Sequence, residues 1–406
     1  MSERFSKIAS AKIVSLTLFS LVPSLWAADQ DMERLASANA SFGFNLMRQL
    51  VGERPTDNVF ISPFSVSAAL QMLWQGAAGQ TKTEMDQALA LTNFKPETAG
   101  SAYKDLDRSI QSAGTNAVLS IANSIWYAPN IELKALFVSA NQNYYGAKLS
   151  ALDFTDPRSA GVVNSWVNEK THGRIKKIVE PPLSSMTGAF LANAIYFKGS
   201  WEHKFDSSAT KQKPFHLRSG SQKQMPMMRQ TRKFSYQEDN GFQAVRLPYA
   251  GGRLGMFVFL PATNSTPDKF LAELKGEVWR EKIMPKFQER EGTLVLPRFK
   301  LEFKADLVSG LKAIGIRHAF ARSADFSGVS STQLFVSGVE HASFVEVNEE
   351  GTEAAAATGV TMAMTAGRPV IKPFQMIINR PFFFVIEDSA TKSILFMGIV
   401  NEPGSE

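Results

Sequence analysis

Helical and strand patterns are unequally distributed along this chain, and the asymmetry indicates its fold class. Helical periodicity dominates the first half of the chain, as over residues 30–51 and 160–180, although 117–127 is a predicted strand. Alternating apolar patterns, which are typical of strands, dominate from residue 189 onward. The later predicted strands are 189–197, 243–248, 253–260, 293–303, 334–348, 381–387 and 394–400. Because no low-complexity linker, break in composition or fixed-period repeat divides the 406 residues, we expect one large α+β domain.

The N-terminal residues 1–27 have the pattern of a secretory signal peptide. Basic residues precede an apolar segment, 13–25, that is too short to span a bilayer comfortably, and small residues follow it. We therefore expect cleavage after Ala27, a single mature domain over 28–406, and a secreted or periplasmic location; an uncleaved membrane anchor is the alternative. No later segment is long and apolar enough to span a membrane, so the mature chain is expected to be free of membranes.

The composition excludes several kinds of chemistry. Without cysteine the chain has no disulfide, thiolate zinc site or iron–sulfur cluster, and none of its five histidines is paired at metal-ligand spacing. We therefore expect no metal and no cofactor. A formal charge of +6 is too mild a basic excess for nucleic-acid binding. Basic residues between 198 and 233 alternate with acidic ones, which indicates a solvated face, with weak polyanion binding as the alternative.

Catalytic motifs are absent from the sequence. There is no G-x-S-x-G elbow, Walker A loop or G-x-G-x-x-G. A hydrolase built on a spatial Ser-His-Asp arrangement remains an alternative, with His341 as its base. His341 lies within a predicted strand, however, so we expect a buried, hydrogen-bonded histidine instead.

Residues 349–379 connect two predicted strands and fit neither secondary structure. From Thr352 to Thr358 every residue is Thr, Glu or Ala, while Gly351 and Gly359 oppose a helix and alanine is a poor strand former. Read with a period of two, one face is uncharged: Thr352, Ala354, Ala356, Thr358, Val360 and Met362. Such a segment could enter a sheet as an added strand; the alternative is a solvated linker.

Seven sequence motifs, in order, resemble those of the serpins, the serine protease inhibitor superfamily. They lie at 58–66, 166–175, 190–202, 325–328, 349–358, 379–382 and 395–398, and the likeness runs from about residue 32 to 403. The resemblance implies three β-sheets and about nine helices, with an exposed reactive-centre loop at about 349–372. It also implies that a protease cleaves this loop, whose hinge then inserts into the largest sheet while the acyl-enzyme is trapped.

Residue roles follow from the same resemblance. The hinge comprises Glu349, Glu350, Gly351, Thr352, Glu353, Ala354, Ala355, Ala356, Ala357 and Thr358. The family's spacing places the scissile bond between Thr365 and Ala366, with Met364 as the alternative reactive residue and Arg368 three residues beyond Thr365. We expect Thr352 to lie at the base of the loop, partly solvated, before cleavage.

Two further groups of residues match family positions beneath and above the main sheet. The shutter, a hydrogen-bonded cluster under the centre of the sheet, comprises Ser62, Ser65, Asn193 and His341. The breach, where the loop first enters, comprises Trp201, Arg298 and Glu349, and we expect an Arg298–Glu349 ion pair.

The expected function is therefore that of an inhibitory serpin, a suicide substrate that forms a covalent complex with a serine protease and acts as a monomer. Thr365 favours elastase-like or subtilisin-like enzymes, whereas Met364 would favour chymotrypsin-like ones. The alternatives are a non-inhibitory serpin acting as a binding protein or chaperone, and an inhibitor of papain-like cysteine proteases.

Overall fold

The computed structural model describes residues 21–113, 117–185, 187–352 and 372–404, with side chains from residue 27 onward. Within these residues the α-helices are α1 (Leu21–Glu53), α2 (Pro63–Trp74), α3 (Gly79–Ala88), α4 (Pro96–Gln111), α5 (Ala135–Tyr145), α6 (Ser159–Lys170), α7 (Pro267–Glu273), α8 (Gly276–Val278) and α9 (Val308–Ala313). None of the helices in the described part of the chain has the length and apolarity needed to cross a membrane.

Strands occupy the same described ranges and confirm the α+β class. They are β1 (Val59–Ile61), β2 (Ala117–Tyr127), β3 (Lys148–Ala151), β4 (Ala189–Ser200), β5 (Lys211–His216), β6 (Gln222–Glu238), β7 (Phe242–Pro248), β8 (Leu254–Pro261), β9 (Gln288–Pro297), β10 (Phe299–Asp306), β11 (Val336–Val347), β12 (Gly351–Thr352), β13 (Phe374–Ile377), β14 (Phe382–Asp388) and β15 (Ser393–Val400).

Hydrogen bonds join these strands into two sheets. A nine-stranded sheet runs β1-β15-β14-β8-β7-β6-β9-β13, with β5 also paired to β6. The family resemblance implies three sheets, and the difference lies in β6. This single 17-residue strand pairs with β5 near its start, with β9 along its middle and with β7 at its end. It therefore joins the strands along its whole length into one continuous sheet.

The six-stranded sheet contains the candidate site. Its order is β10-β11-β4-β2-β3, and β12 pairs with β4. Strands β4 and β11 are parallel and adjacent from the Ala189–Val336 pair to the Tyr196–Phe344 pair. Beyond Tyr196 both strands continue without pairing to each other. We call this parallel junction the seam.

Both faces of this sheet are covered. On the inner face, Leu191, Ile195 and Phe197 of β4 belong to the main core shared with the nine-stranded sheet and α2. On the outer face, Ala192, Ala194 and Tyr196 belong to a second cluster with α6. A strand added between β4 and β11 would therefore be buried on both sides along much of its length.

Several predicted boundaries are wrong for local reasons. The predicted helix 160–180 ends at Lys170, because His172 and Gly173 adopt positive φ and Thr171 Oγ1 accepts the backbone N–H of Ile175. The predicted strand 293–303 is two strands, β9 and β10, which are separated at Arg298. The predicted helix 30–51 is confirmed and extends further at both ends as α1.

Candidate functional site

Four shutter residues meet beneath the seam in one buried network. Strand β4 carries Asn193, and β11 carries His341 directly opposite it. Asn193 accepts a hydrogen bond from His341 Nδ1 at 2.7 Å and donates through Nδ2 to Ser65 Oγ at 2.6 Å. Ser62 caps α2 by accepting the N–H of Ser65 at 3.1 Å, and its own N–H points to His341 Nε2 at 3.4 Å. The network thus connects both sides of the seam to the start of α2.

His341 is held as a neutral imidazole. Complete burial lowers its pKa to about 3. The neutral ring with its proton on Nδ1 satisfies both contacts, since Nδ1 donates to Asn193 while Nε2 accepts from Ser62. A histidine with no exposed surface and both nitrogens engaged cannot act as a general base on a substrate, which argues against the hydrolase alternative.

Sequence reasoning missed one member of this network. Asn123 of β2 accepts a second hydrogen bond from Asn193 Nδ2, at 2.6 Å. It pairs with Asn193 in the antiparallel β2–β4 ladder and is buried. A buried asparagine in an otherwise apolar strand pattern was the available signal, but only the register shows which polar group it meets.

The breach residues also come together. Arg298 Nε lies 2.6 Å from Glu349 Oε2, and Thr210 donates to the other carboxylate oxygen of Glu349. The Glu349 side chain is only 6% exposed. Burial raises the pKa of Glu349, but the hydrogen bonds from Arg298 and Thr210 outweigh burial and leave the pKa below its usual value. Glu349 is therefore ionised and paired at neutral pH.

Trp201 fixes the backbone where the loop leaves the sheet. Its indole Nε1 donates to the carbonyl of Asn348 at 2.9 Å, and its backbone N–H donates to the carbonyl of Glu350 at 2.9 Å. Its ring stacks on Tyr249, with centroids 4.6 Å apart. The sequence pattern did not indicate Tyr249, nor Lys204, whose ammonium lies 2.6 Å from Glu350 Oε2.

The first hinge residues already belong to the sheet. Gly351 pairs with Ser200 and Thr352 with Gly199 as the short antiparallel strand β12, beside β4 at the unpaired end of the seam. Gly351 has φ +149°, and a Cβ there would lie 2.2 Å from the carbonyl oxygen of Gly199, so only glycine fits this approach.

The expected solvation of Thr352 is wrong. Thr352 has no exposed surface, and its hydroxyl lies 2.9 Å from that of Tyr249. Its partner Gly199 leaves room for this contact, because a Cβ on Gly199 would approach the rings of Phe197 and Tyr249 at 2.9 Å. The side chain thus faces the inner side of the sheet.

The rest of the reactive loop lies outside the described residues. This includes the hinge residues Glu353, Ala354, Ala355, Ala356, Ala357 and Thr358, the expected scissile residues Thr365 and Ala366, and the alternative residue Met364. Residues 1–20 of the expected signal peptide also lie outside, and the remaining residues 21–27 form the start of α1.

The described residues offer no metal site, since none of their His, Asp and Glu side chains cluster as ligands.

The basic segment 198–233 contains both paired and exposed cations. Three of its cations are paired with acids: Lys204 with Glu350, Arg218 with Asp268, and Lys223 with Glu402. Lys211, Lys213, Arg229 and Lys233 are exposed.

The chain resembles known proteins over nearly its whole length. Residues 37–403 match the family model described as Serpin (serine protease inhibitor). The chain is 36% identical to Iripin-2 of Ixodes ricinus, over 96% of this chain and 99% of that protein. It is 36% identical to leukocyte elastase inhibitor of Bos taurus, over 92% of this chain and 100% of that protein.

A solved structure agrees with these sequence matches. The crystal structure of human thyroxine-binding globulin complexed with thyroxine superposes with a TM-score of 0.84 at 28% identity, covering 92% of this chain and 100% of that one. The fold, the match to the family model and the sequence relatives agree. The chain belongs to the serpin family.

Proposed function

We propose that this protein inhibits serine endopeptidases as a suicide substrate whose cleaved loop inserts into the seam. The protein is an inhibitor rather than an enzyme. The observation that carries the proposal is β12: two hinge residues are already paired to β4 at the open end of the seam. A protease that cleaves the loop further along would release the segment that can continue this strand.

The register of β12 predicts how an inserted strand would pair with β4. Continuing the pairs Gly351–Ser200 and Thr352–Gly199 would place Ala354 opposite Phe197, Ala356 opposite Ile195 and Thr358 opposite Asn193. Val360 would then face Leu191. Opposite residues of an antiparallel pair share a face, so these side chains would enter the inner core.

The outer face of an inserted strand would also be covered, and it too requires small residues. The register would place Ala355 opposite Tyr196, Ala357 opposite Ala194 and Gly359 opposite Ala192, all beneath α6. Glu353 would lie opposite the half-exposed Lys198, on the outer face near the end of β4. Small residues therefore suit both faces, because α6 covers the outer face and the main core covers the inner one.

Insertion is favourable because the one parallel ladder between β4 and β11 is replaced by two ladders, one on each side of the inserted strand. Strands β4 and β11 are parallel, so a strand antiparallel to β4 is antiparallel to β11 as well. Each backbone hydrogen bond contributes about 1 kcal/mol net, and antiparallel pairing is slightly more stable per residue than parallel pairing. The free energy stored in the uncleaved seam would thus drive the displacement of the protease.

The sequence around the expected scissile bond favours particular proteases. Thr365 between Met364 and Ala366 suits a shallow or medium apolar pocket, as in elastase-like or subtilisin-like enzymes. Leukocyte elastase inhibitor of Bos taurus is among the relatives, which supports this choice. We further propose that the leader 1–27 exports the chain, that the inhibitor is monomeric, and that the exposed lysines of β5 give at most weak polyanion binding.

A binding function without inhibition is the second candidate, because the thyroxine-binding globulin structure superposes well on this chain. The hinge argues against it, since 352–358 contains no proline and no bulky apolar residue. Inhibition of papain-like cysteine proteases is a third candidate that the same loop would serve.

The test is incubation with a panel of elastase-like, subtilisin-like, chymotrypsin-like and papain-like proteases, followed by denaturing gels and mass spectrometry. We expect a covalent complex that survives denaturant and a released fragment that begins at Ala366. A fragment beginning at Thr365 would assign the reactive residue to Met364, and one beginning at Pro369 to Arg368. If every protease merely consumes the chain as substrate and cleavage leaves the thermal midpoint unchanged, the proposal is wrong.

A further inference from the structure

A cavity of about 300 Å³ lies at the lower end of the seam, far from the breach along β4. Its walls come from both sides of the seam: Phe190 of β4, Gly338 and Glu340 of β11, and Lys304 of β10. Its cover comes from the described part of the connector between α6 and β4, residues 171–185 and 187–188, which contributes Ile178, Val179 and Leu183. The volume is at the lower limit for a small-molecule site.

Residues 178–180 of the connector are fixed on both sides of the seam, so this part of the cavity wall is preformed. On the α6 side, Asn164 accepts the N–H groups of Ile178 and Val179 at 2.8 and 3.0 Å and donates to the carbonyl of Val179 at 3.0 Å. On the β10 side, Lys304 Nζ lies 2.9 Å from Glu180 Oε1. A ligand beneath the connector would contact walls that are already in place.

The charges around the cavity favour a cation. Glu340 lies directly opposite Asp306 in the β10–β11 ladder. Lys304 and Lys177 are both engaged by Glu180, which also lines the cavity. Among the described residues, no hydrogen bond or ion pair engages the Glu340 carboxyl group. The cavity therefore offers one unpaired acid beside the apolar surfaces of Phe190, Ile178 and Leu183.

We propose that this lower-seam cavity binds small organic cations with an apolar body, the cation on Glu340 and the body against Phe190 and Leu183. A bound cation contacts β4, β11 and the connector together. Loop insertion must separate β4 from β11 by one further strand spacing, roughly 4.8 Å. The ligand therefore binds the uninserted state better and slows insertion, which converts the inhibitor into a substrate. This second consequence rests on the proposed function, whereas the binding itself does not.

The site has an expected pH dependence. Burial and the charge of Asp306 raise the pKa of Glu340 to about 7, against the opposing charge of Lys304. A cation prefers the ionised carboxylate. Its affinity should therefore rise as the pH rises from about 6 to about 8, a range in which an alkylammonium stays protonated.

The binding test uses three probes of similar size and different charge: phenethylammonium, phenethyl alcohol and phenylacetate. Ligand-observed NMR titration against the uncleaved protein should show that the cation binds about tenfold more tightly than the alcohol and that phenylacetate does not bind. Glu340→Gln should reduce the affinity for the cation to that for the alcohol. Leu183→Trp, which fills the cavity, should abolish binding of both. Equal binding of all three probes, or cation binding retained in Leu183→Trp, overturns the site.

The second arm measures the stoichiometry of inhibition with a protease that the wild type traps. Phenethylammonium should raise the stoichiometry for the wild type and leave it unchanged for Glu340→Gln, and the protease's activity on a peptide substrate controls for direct effects. Selective binding with an unchanged stoichiometry overturns the effect on insertion. If no protease is trapped even without ligand, the proposed function fails, and the NMR titration still decides the site.

Discussion

The hydroxyl of Thr352 lies 2.9 Å from that of Tyr249, and Tyr249 in turn stacks on Trp201. Thr352, which follows Gly351 in the hinge, thus lies in the sheet with its side chain hydrogen-bonded to one member of an aromatic pair. The two described hinge residues of β12, Gly351 and Thr352, therefore have a defined register against β4. Under the proposed mechanism, we expect the residues that hold β12 in the breach to influence how readily the loop enters the sheet.

Thr352→Arg should convert the inhibitor into a substrate. After insertion, the substituted side chain would place an unpaired guanidinium on the buried inner face, which costs several kcal/mol. A barrier increase of only about 1.4 kcal/mol slows insertion tenfold, and insertion competes with deacylation. Because Thr352 is already buried, this substitution should also expel β12 before cleavage, with a loss of about 1 kcal/mol from the bond to Tyr249.

Glu353→Arg is the matched control, since the register would place residue 353 opposite Lys198 at the half-exposed outer edge of β4. Solvent screening keeps that repulsion between about 0 and 1 kcal/mol. The stoichiometry of inhibition should therefore rise strongly for Thr352→Arg and little for Glu353→Arg. Equal stoichiometries would show that the two-residue phase of the inserted strand is wrong.

The period-two reading of 352–362 was accessible from sequence because side-chain alternation in a strand does not depend on its partner. The elements that pack against the sheet determine how deeply each face of the strand is buried. The presence of α6 over the outer face, where the register would place Ala355 and Ala357, depends on long-range packing that no local pattern encodes. The burial of Thr352 was missed for the same reason, since it requires the close approach of Gly199 and Tyr249.

The prediction of strands from the sequence was correct where the apolar pattern was strong and failed where it was weak. β2 and β4 have regular apolar patterns and were predicted almost in full. β6 was missed because charged and polar residues occupy many of its positions and Pro226 interrupts it. The serpin motifs supplied the shutter and breach residues, but Asn123 and Tyr249 became visible only through the sheet register and the packing of side chains.

Tyr249→Phe should loosen the hinge without affecting the rest of the sheet. The substitution keeps the stack on Trp201 and removes the hydroxyl that is hydrogen-bonded to the buried Thr352 side chain. A loss of about 1 kcal/mol corresponds to roughly fivefold faster opening. Hydrogen exchange at the amide of Thr352 should accelerate accordingly.

Tyr236→Phe provides the comparison for this measurement. The Tyr236 hydroxyl binds Glu238 Oε2 at 2.6 Å in the nine-stranded sheet, away from β12. Exchange at Thr352 should be unchanged in this variant. If both phenylalanine variants accelerate exchange at Thr352 alike, the Thr352–Tyr249 hydrogen bond does not hold the hinge.

Arg298→Gln should destabilise the uncleaved protein at neutral pH by about 1–3 kcal/mol, because it leaves the buried carboxylate of Glu349 without its cation. The folded pKa of Glu349 lies below its unfolded value, so the ion pair stabilises the fold above the unfolded pKa. This stabilisation is lost as the pH falls through the folded pKa. Urea midpoints of the wild type and the variant should therefore differ at neutral pH and converge in acid.

Arg218→Gln is the control for Arg298→Gln, because the Arg218–Asp268 pair is about one-third exposed on both sides and contributes little. Its stability should stay within about 0.5 kcal/mol of the wild type. A difference between Arg298→Gln and the wild type that persists in strong acid, well below the folded pKa of Glu349, would show that the effect comes from packing, not from the charge of Glu349.

His341→Ala should lower stability by about 2–4 kcal/mol, since it removes a buried ring and leaves Asn193 and the Ser62 N–H without this partner. The seam should open more easily in the uncleaved chain. Loop-inserted or polymeric forms should therefore appear on native gels after mild heating, at temperatures where the wild type forms neither. Unchanged stability would contradict a shutter role for His341.

Glu387→Gln should change the pH dependence of stability in a defined direction. Glu387 of β14 is 2% exposed and accepts a hydrogen bond from Trp279 Nε1 at 2.7 Å, which glutamine can also accept. Burial raises the pKa of Glu387 to about 7, while Trp279, Lys392 and Arg246 lower it and Asp388 raises it further. The folded chain thus keeps a proton that the unfolded chain loses near pH 4.5.

Because folding takes up this proton between about pH 4.5 and 7, the wild type loses stability as the pH rises through that window and nothing further above it. Glu387→Gln has no such proton to retain. The variant should match the wild type at about pH 4 and exceed it by up to about 3 kcal/mol at about pH 8, as measured by urea unfolding. The exposed substitution Glu281→Gln should follow the wild-type curve throughout. A Glu387→Gln curve parallel to the wild type would mean that Glu387 is ionised in the folded chain at neutral pH, with its charge stabilised by Arg246 and Lys392.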